Sequence, residues 1–274
     1  MARGRRKRGI HFSLICAWPW GFRVILDAAL VLGLAHATLC LAGGPLTISE
    51  SGTLRYCAID LSRDRIRAFY TDEDGRRFGS IEGLTQWLSR SGERIVCATN
   101  GGIFGPDRKP LGWLIVDGVE LQPLNVRTDQ PGNFFLQPNG ALSVSGAAAR
   151  IDTTDALAGA RPSDVTGIDI ALQSGPILVL NGVINPIFDK GSVSRYTRNA
   201  VCLRDARTVL FAYSPEPLSL YAFAKALQDV GCQSALYLDG HLSQLYPDRS
   251  ALAPAQREPL SVILAVTTKD PHGN

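Results

Sequence analysis

Between residues 54 and 70 apolar and polar positions alternate through two runs, TLRYCAIDL and RIRAFY. That two-residue period predicts two strands joined by a turn at Ser62–Asp64. The period then lengthens. In SIEGLTQWLSRSG, Ile81, Leu84, Trp87 and Leu88 recur at helical spacing, with Ser80 placed to cap the first turn and Gly92 to stop the helix. RIVCAT reads as a continuous apolar strand running into NGGIFGPDRKP. LGWLIVDGVEL and NFFLQPNGALSV predict hairpins turning on Asp117-Gly118 and Asn139-Gly140, and residues 151–166 form a polar connection, helical in part.

The second half repeats this logic. IDIALQSGPILVLNGVINP predicts two strands around Gly175-Pro176 and a turn at Asn181-Gly182. NAVCLRD and RTVLFAYS supply two more, joined at Asp205-Ala206. LSLYAFAKALQDVG is the clearest helix, with Leu220, Phe223, Ala224 and Leu227 on one face and Gly231 at its end. SALYLDG and SVILAVTT are the last strands. Many strands, tight turns and few helices predict an α+β fold: a single domain with one mixed, largely antiparallel sheet and a few packed helices. The expected division is a leader over 1–42, a linker over 43–53, the domain over 54–267 and a tail over 268–274.

The leader changes the reading of the charge. MARGRRKRGI precedes an apolar stretch that is densest from Val24 to Ala42, the pattern of an export signal or of an anchor with its basic end in the cytoplasm. Asp27 and His36 are costly inside a bilayer, and small residues offer cleavage after Ala37 or Ala42. The expectation is an exported protein, periplasmic or extracellular, either released or held to the membrane through residues 24–42. Residues 1–42 hold six basic side chains against Asp27; taking six positive charges and one negative from the formal +3 leaves −2. A slightly acidic body without a basic stripe excludes nucleic acid as a partner. An exported domain can pair Cys57, Cys97, Cys202 and Cys232, but each sits in or beside an apolar strand pattern without zinc-site spacing, so buried thiols are the default expectation.

The residue inventory narrows the chemistry further. Of four histidines, His11 and His36 belong to the leader and His272 to the tail, leaving His241 in the body. That removes HExxH and three-histidine zinc sites, and neither a GxSxG elbow nor a Walker loop is present. Carboxylates, guanidinium groups, amides and backbone N–H donors remain. Three glycine-bearing segments follow predicted strands: TNGGIF at 99–104, LQSGP at 172–176 and LDGHLS at 238–243. Glycine at a strand tip admits a positive φ or a close ligand, and these tips carry Asn100, Ser174 and Asp239. Arg198-Asn199 precedes a further strand. A turn aspartate capping its own backbone would give the same local sequence at Asp239, and Arg198 could equally be half of a surface ion pair.

Five ordered blocks then carry a resemblance: CATNGGIFGPDRKPLGWLIVDGVEL, GNFFLQPNG, ALQSGPILVLNGVINP, RNAVCLRDARTVLFAYS and LSLYAFAKALQDVGCQSALYLDG. Over roughly residues 54–267 the chain resembles the phosphodiester glycosidase family, most closely its uncharacterised bacterial branch, whose members are exported. The resemblance implies a hydrolase that cleaves a sugar-1-phosphodiester bond in an envelope or secreted glycan. Its partner is then a phosphate-linked glycan; the alternative is a noncatalytic phosphoglycan-binding envelope protein of the same fold. In that frame Asp239, Arg198 and Asn100 are the catalytic candidates: Arg198 meets the phosphate charge, Asp239 serves as nucleophile, base or stabilising charge, and Asn100 holds a hydroxyl or orients water. Gly101, Gly102, Ser174, Gly175, Asn199, Gly240, His241 and Ser243 are the expected substrate contacts. No cofactor is required by this scheme, although calcium or magnesium held by Asp239 and Asn100 is an option. His241 departs from the small residue common after LDG, and Ala200 stands where a second glycine is common.

Overall fold

The computed structural model describes Leu46 and residues 48–160, 166–248 and 258–269, which lie within one compact unit spanning 43–274. The predicted leader and its membrane or export role fall outside the described residues. Among the described residues no helix is long and apolar enough to cross a membrane.

Among the described residues sixteen strands form three sheets rather than one, and every described strand pair is antiparallel. In chain order they begin with β1 (Ile48–Ser51), β2 (Leu54–Asp60), β3 (Ile66–Phe69), β4 (Glu93–Gly101), β5 (Leu114–Val116) and β6 (Val119–Gln122). Next come β7 (Gly140–Ser145), β8 (Ala148–Thr153), β9 (Ile170–Ser174), β10 (Ile177–Leu180) and β11 (Val183–Ile184). The last are β12 (Tyr196–Leu203), β13 (Thr208–Leu218), β14 (Ser234–Asp239), β15 (Leu245–Tyr246) and β16 (Val262–Lys269). The helices are α1 (Ile81–Ser89), α2 (Thr154–Gly159) and α3 (Leu220–Asp229).

The largest sheet has the order β1-β2-β13-β12-β14-β10-β11. Its inner strands β12, β13 and β14 carry nearly continuous buried runs because both faces are covered there. Ala200 and Cys202 pack with Phe223, Ala224 and Leu227 of α3 on one face. Val201, Leu203, Leu236 and Leu238 face the other way, into a core shared with the remaining sheets, β15-β4-β16-β3 and β6-β5-β9-β7-β8. Helix α1 presses Ile81, Leu84 and Leu88 against Ile95, Ala98 and Ile263. As expected, the Ser80 side chain accepts from the backbone N–H of Gly83 and caps α1; Ser219 caps α3 in the same way by accepting from the N–H of Ala222.

Several expectations need correction. The strands expected on either side of Ser62–Asp64 and of Gly175-Pro176 are present, but the single sheet is not: β2 and β3, like β9 and β10, part into different sheets. Asn139-Gly140 is not a turn. At Asp117-Gly118 and Asn181-Gly182 both residues have positive φ (47° and 78°; 51° and 76°), as a two-residue hairpin demands. Gly140 instead opens β7, where a Cβ would lie 2.2 Å from the Asp152 carbonyl oxygen, and that hairpin turns at Gly146. Finally, Cys202 and Cys232 are not buried thiols but form a disulfide with a Cα–Cα distance of 5.7 Å, while Cys57 and Cys97 are buried and free. Thirty residues separate the bridged pair, and the β13–α3 excursion brings them back together.

Candidate active site

Strands β12 and β14 are neighbours, and their register sets Asn199 opposite Asp239. Because side chains alternate along a strand, Arg198 and Asn199 leave β12 in opposite directions. The two residues accordingly enter different surroundings.

Arg198 is 2% exposed. Its Nε donates to the Leu218 carbonyl at 2.7 Å, one Nη to the Tyr237 hydroxyl at 2.9 Å and the other to the Ser194 carbonyl at 3.4 Å. The rings of Tyr196 and Tyr237 each lie 5.4 Å from its Cζ. Among the described residues no carboxylate oxygen comes within 4.0 Å of the guanidinium. The surface ion pair that the sequence left open is therefore not formed. A buried cation normally finds a counter-charge; this one has carbonyls, a hydroxyl and two π faces, with two of its five N–H donors left over.

Asp239, 8% exposed, ends β14. Its Oδ1 accepts the backbone N–H groups of His241 and Leu242, the latter at 2.8 Å, so the carboxylate closes its own turn. Burial raises its pKa above the ordinary carboxyl value, and the N–H donors of Leu242, His241 and Gly240 act in the opposite sense. Gly240 earns its place differently from the expectation of a positive φ. Its φ is ordinary, but a Cβ there would lie 2.1 Å from the Tyr237 hydroxyl oxygen. Burial likewise drives the Tyr237 hydroxyl pKa upward; the neighbouring Arg198 pulls it down and Asp239 pushes it up.

These groups open on one cleft of about 520 Å³. Arg198, Tyr237, Asp239, Gly240 and His241 line it, together with Glu258. His241 stands at the rim, half or more exposed, with Nε2 3.2 Å from Glu258 Oε1. Asn133 and Leu220, the first residue of α3, are also in the wall. Tyr237, Glu258 and Asn133 were missed from sequence: Tyr237 reads as one more apolar strand position, and Glu258 belongs to no strand or glycine tip. A larger cleft of about 630 Å³ holds Arg63, Arg65 and Arg94 and none of the predicted site residues.

The other expected contacts do not line the 520 Å³ cleft. Asn100 and Asn199 form a sealed brace: Asn199 Nδ2 donates to Thr99 Oγ1 at 2.8 Å and to Asn100 Oδ1 at 2.9 Å, while Asn100 Oδ1 also accepts from Gln244 N at 2.8 Å. Among the described residues Asn199 Oδ1, which is buried, has no hydrogen-bond partner. Gly101 and Gly102 are packing glycines, each with Leu172 side-chain atoms 3.2 Å from where a Cβ would be. Gly175 is pressed against Phe134 and Asn139, and Ser174 Oγ is buried without a hydrogen bond among the described residues. Ser243 donates to the Asp239 carbonyl at 2.9 Å, supporting the turn from behind. With Asn100 Oδ1 already taken by two donors, Asp239 and Asn100 do not make a cation site. Among the described residues no group of three His, Cys, Asp or Glu side chains converges for a metal.

Sequence comparison agrees with this frame. The model of the phosphodiester glycosidase family matches residues 93–258, a span that contains Arg198, Tyr237 and Asp239 and ends on Glu258. The chain belongs to the phosphodiester glycosidase family. Uncharacterized protein YigE of Escherichia coli (strain K12) is 30% identical over 218 residues, covering 79% of this chain and 83% of that protein. The catalytic domain of zebrafish N-acetylglucosamine-1-phosphodiester alpha-N-acetylglucosaminidase superposes with a TM-score of 0.55 at 14% identity, covering 82% of this chain and 84% of that one. This second likeness is one of fold.

Proposed function

We propose that the protein hydrolyses a sugar-1-phosphodiester in an envelope or secreted glycan, at the cleft that Arg198 and Asp239 share. The observation that carries this reading is a guanidinium buried to 2% exposure, without a carboxylate within 4.0 Å among the described residues, opening on the same cleft as a buried carboxylate. An anionic ligand supplies the missing counter-charge. The two free N–H donors of Arg198 suit phosphate oxygens, and the N-terminal end of α3 at Leu220 adds its positive dipole on the same side.

In the reaction the bond between the anomeric carbon and the phosphate oxygen breaks, its electron pair leaves with the phosphate monoester, and water supplies the new hydroxyl. The departing phosphate is already a stable anion, so meeting its charge matters more than protonating it. Asp239 acts on the sugar side, as nucleophile, as base or as a stabilising charge for the oxocarbenium-like carbon. The His241–Glu258 pair at the rim takes up the proton that water releases. The Cys202–Cys232 disulfide supports an oxidising, exported location, either released or anchored through residues 24–42.

A second reading, a phosphoglycan-binding protein without turnover, is favoured by one observation: Asp239 already serves its own turn. Hydrolysis of a panel of sugar-1-phosphodiesters by the full chain and by Asp239→Asn, each with and without a chelator, separates the two. Wild-type turnover that the variant loses supports the glycosidase. Binding of the phosphodiesters without turnover supports the binding protein, and equal turnover by both forms removes Asp239 from the chemistry.

A further inference from the structure

Arg198 borders a second cleft, of about 210 Å³, which shares Ser194, Arg198 and Leu220 with the first. Its remaining wall is mostly apolar: Leu136, Ile187, Phe188 and Tyr221, with Asp189 and Ser192 as the polar side chains. Those two serve their own loop, Asp189 Oδ1 accepting from Gly191 N at 2.8 Å and Ser192 Oγ from Ser194 N at 3.3 Å. The apolar character continues onto the surface. Eight large hydrophobic side chains are exposed among the described residues, and four of them, Leu136, Ile187, Val193 and Tyr196, stand on the two segments bordering this region. Two of them, Leu136 and Ile187, are themselves part of the cleft wall.

A phosphodiester has two ester arms leaving one phosphorus. A cation at the boundary of two clefts can hold the phosphate while each arm enters a different cleft. If the sugar takes the cleft of Asp239, the other arm meets Leu136, Ile187, Phe188 and Tyr221. A second sugar there would set most of its hydroxyl groups against hydrocarbon, with Asp189 and the Tyr221 hydroxyl as the polar partners, at a cost for each hydroxyl left unpaired. An apolar alcohol would instead remove hydrocarbon from water on both sides.

We propose that this second cleft is an aglycone subsite and that the substrate is a sugar-1-phosphodiester of an apolar alcohol, alkyl or aryl. The assignment rests on the phosphodiester reading given above. It extends that reading from the bond cleaved to the class of molecule that carries it.

The test uses methyl, butyl and hexyl phosphate, titrated calorimetrically into the full-length protein, and so needs neither turnover nor a choice of sugar. Affinity should rise by about fourfold for each methylene that becomes buried. Ile187→Asp should bring the butyl-to-methyl ratio close to one, whereas Val183→Asp, an exposed substitution on β11, should leave the ratio as in the wild type. Equal affinity for the three phosphates, no binding of hexyl phosphate at millimolar concentration, or a ratio unchanged by Ile187→Asp would each overturn the subsite. Chain-length gain without hydrolysis of any sugar phosphodiester would keep the subsite and remove the proposed activity. Hydrolysis without chain-length gain would do the reverse.

Discussion

Arg198 and Asn199 are adjacent in β12, belong to the same quoted block and are almost equally buried, yet they do opposite things. The guanidinium of Arg198 ends in a cleft with donors to spare. The amide of Asn199 is spent on Thr99 and Asn100, tying β12 of the large sheet to β4 of the four-stranded one. One neighbour borders a cleft and the other joins two sheets. The difference comes from the two-residue period of a strand, which sends consecutive side chains to opposite faces. Polar residues clustered in sequence at a strand tip therefore divide into a reactive set and a bracing set, and substitutions should tell the two apart.

The largest effect is expected at Asp239. Asp239→Asn should lower kcat/KM on a cleaved phosphodiester by about 10²–10⁴-fold, the range for losing a positioned acid–base group. It should also stabilise the fold at neutral pH. Burial raises the folded-state pKa of Asp239, so its contribution to stability is fully present below the unfolded carboxyl pKa of about 3.9 and is lost as pH rises through the folded value. The asparagine variant lacks that loss. Its melting temperature should match the wild type in acid and exceed it at neutrality; a difference independent of pH would show that the charge is not what burial opposes. Next comes Arg198→Lys, which keeps a charge but loses the fork. A fall of roughly 10–100-fold in kcat/KM is expected, with the helical and sheet content by circular dichroism unchanged.

The contrast between the two sets also explains how much could be read beforehand. Periodicity located the long strands and both larger helices, because burial on one or both faces dictates residue type at each position. Sheet membership was not legible: β2 and β3 have strand patterns and a turn between them, but no local signal says that they pair with different partners. Glycine posed the same difficulty. Gly118 and Gly182 follow Asp and Asn in real hairpin turns, whereas Gly140 and Gly240 are there because a carbonyl or a hydroxyl occupies the space of a Cβ. That requirement is set by residues distant in sequence or hidden across a turn. Asp239 and Arg198 could be singled out by type and by strand position, but the partition of Arg198 from Asn199, the role of Tyr237 and the Cys202–Cys232 bridge depend on which strands become neighbours.

The bracing set should respond in stability alone. Asn199→Ala leaves Asn100 and Thr99 short of a buried donor, which should cost about 1–3 kcal/mol in denaturant unfolding while activity per folded molecule stays within a few-fold. A large loss of activity in fully folded Asn199→Ala would mean that the brace reaches the reacting groups.

The smallest effect is expected at the rim. His241 is well exposed and its contact with Glu258 is accessible to water, so the pair is screened and holds neither the fold nor the phosphate. Its proposed task is only to accept a proton that solvent can also accept. His241→Gln should therefore leave the melting temperature unchanged and lower kcat/KM by no more than about fivefold near neutrality. A loss comparable to that of Asp239→Asn would place His241 with the reactive set. The division of labour at this tip would then run along the whole turn rather than ending at the carboxylate.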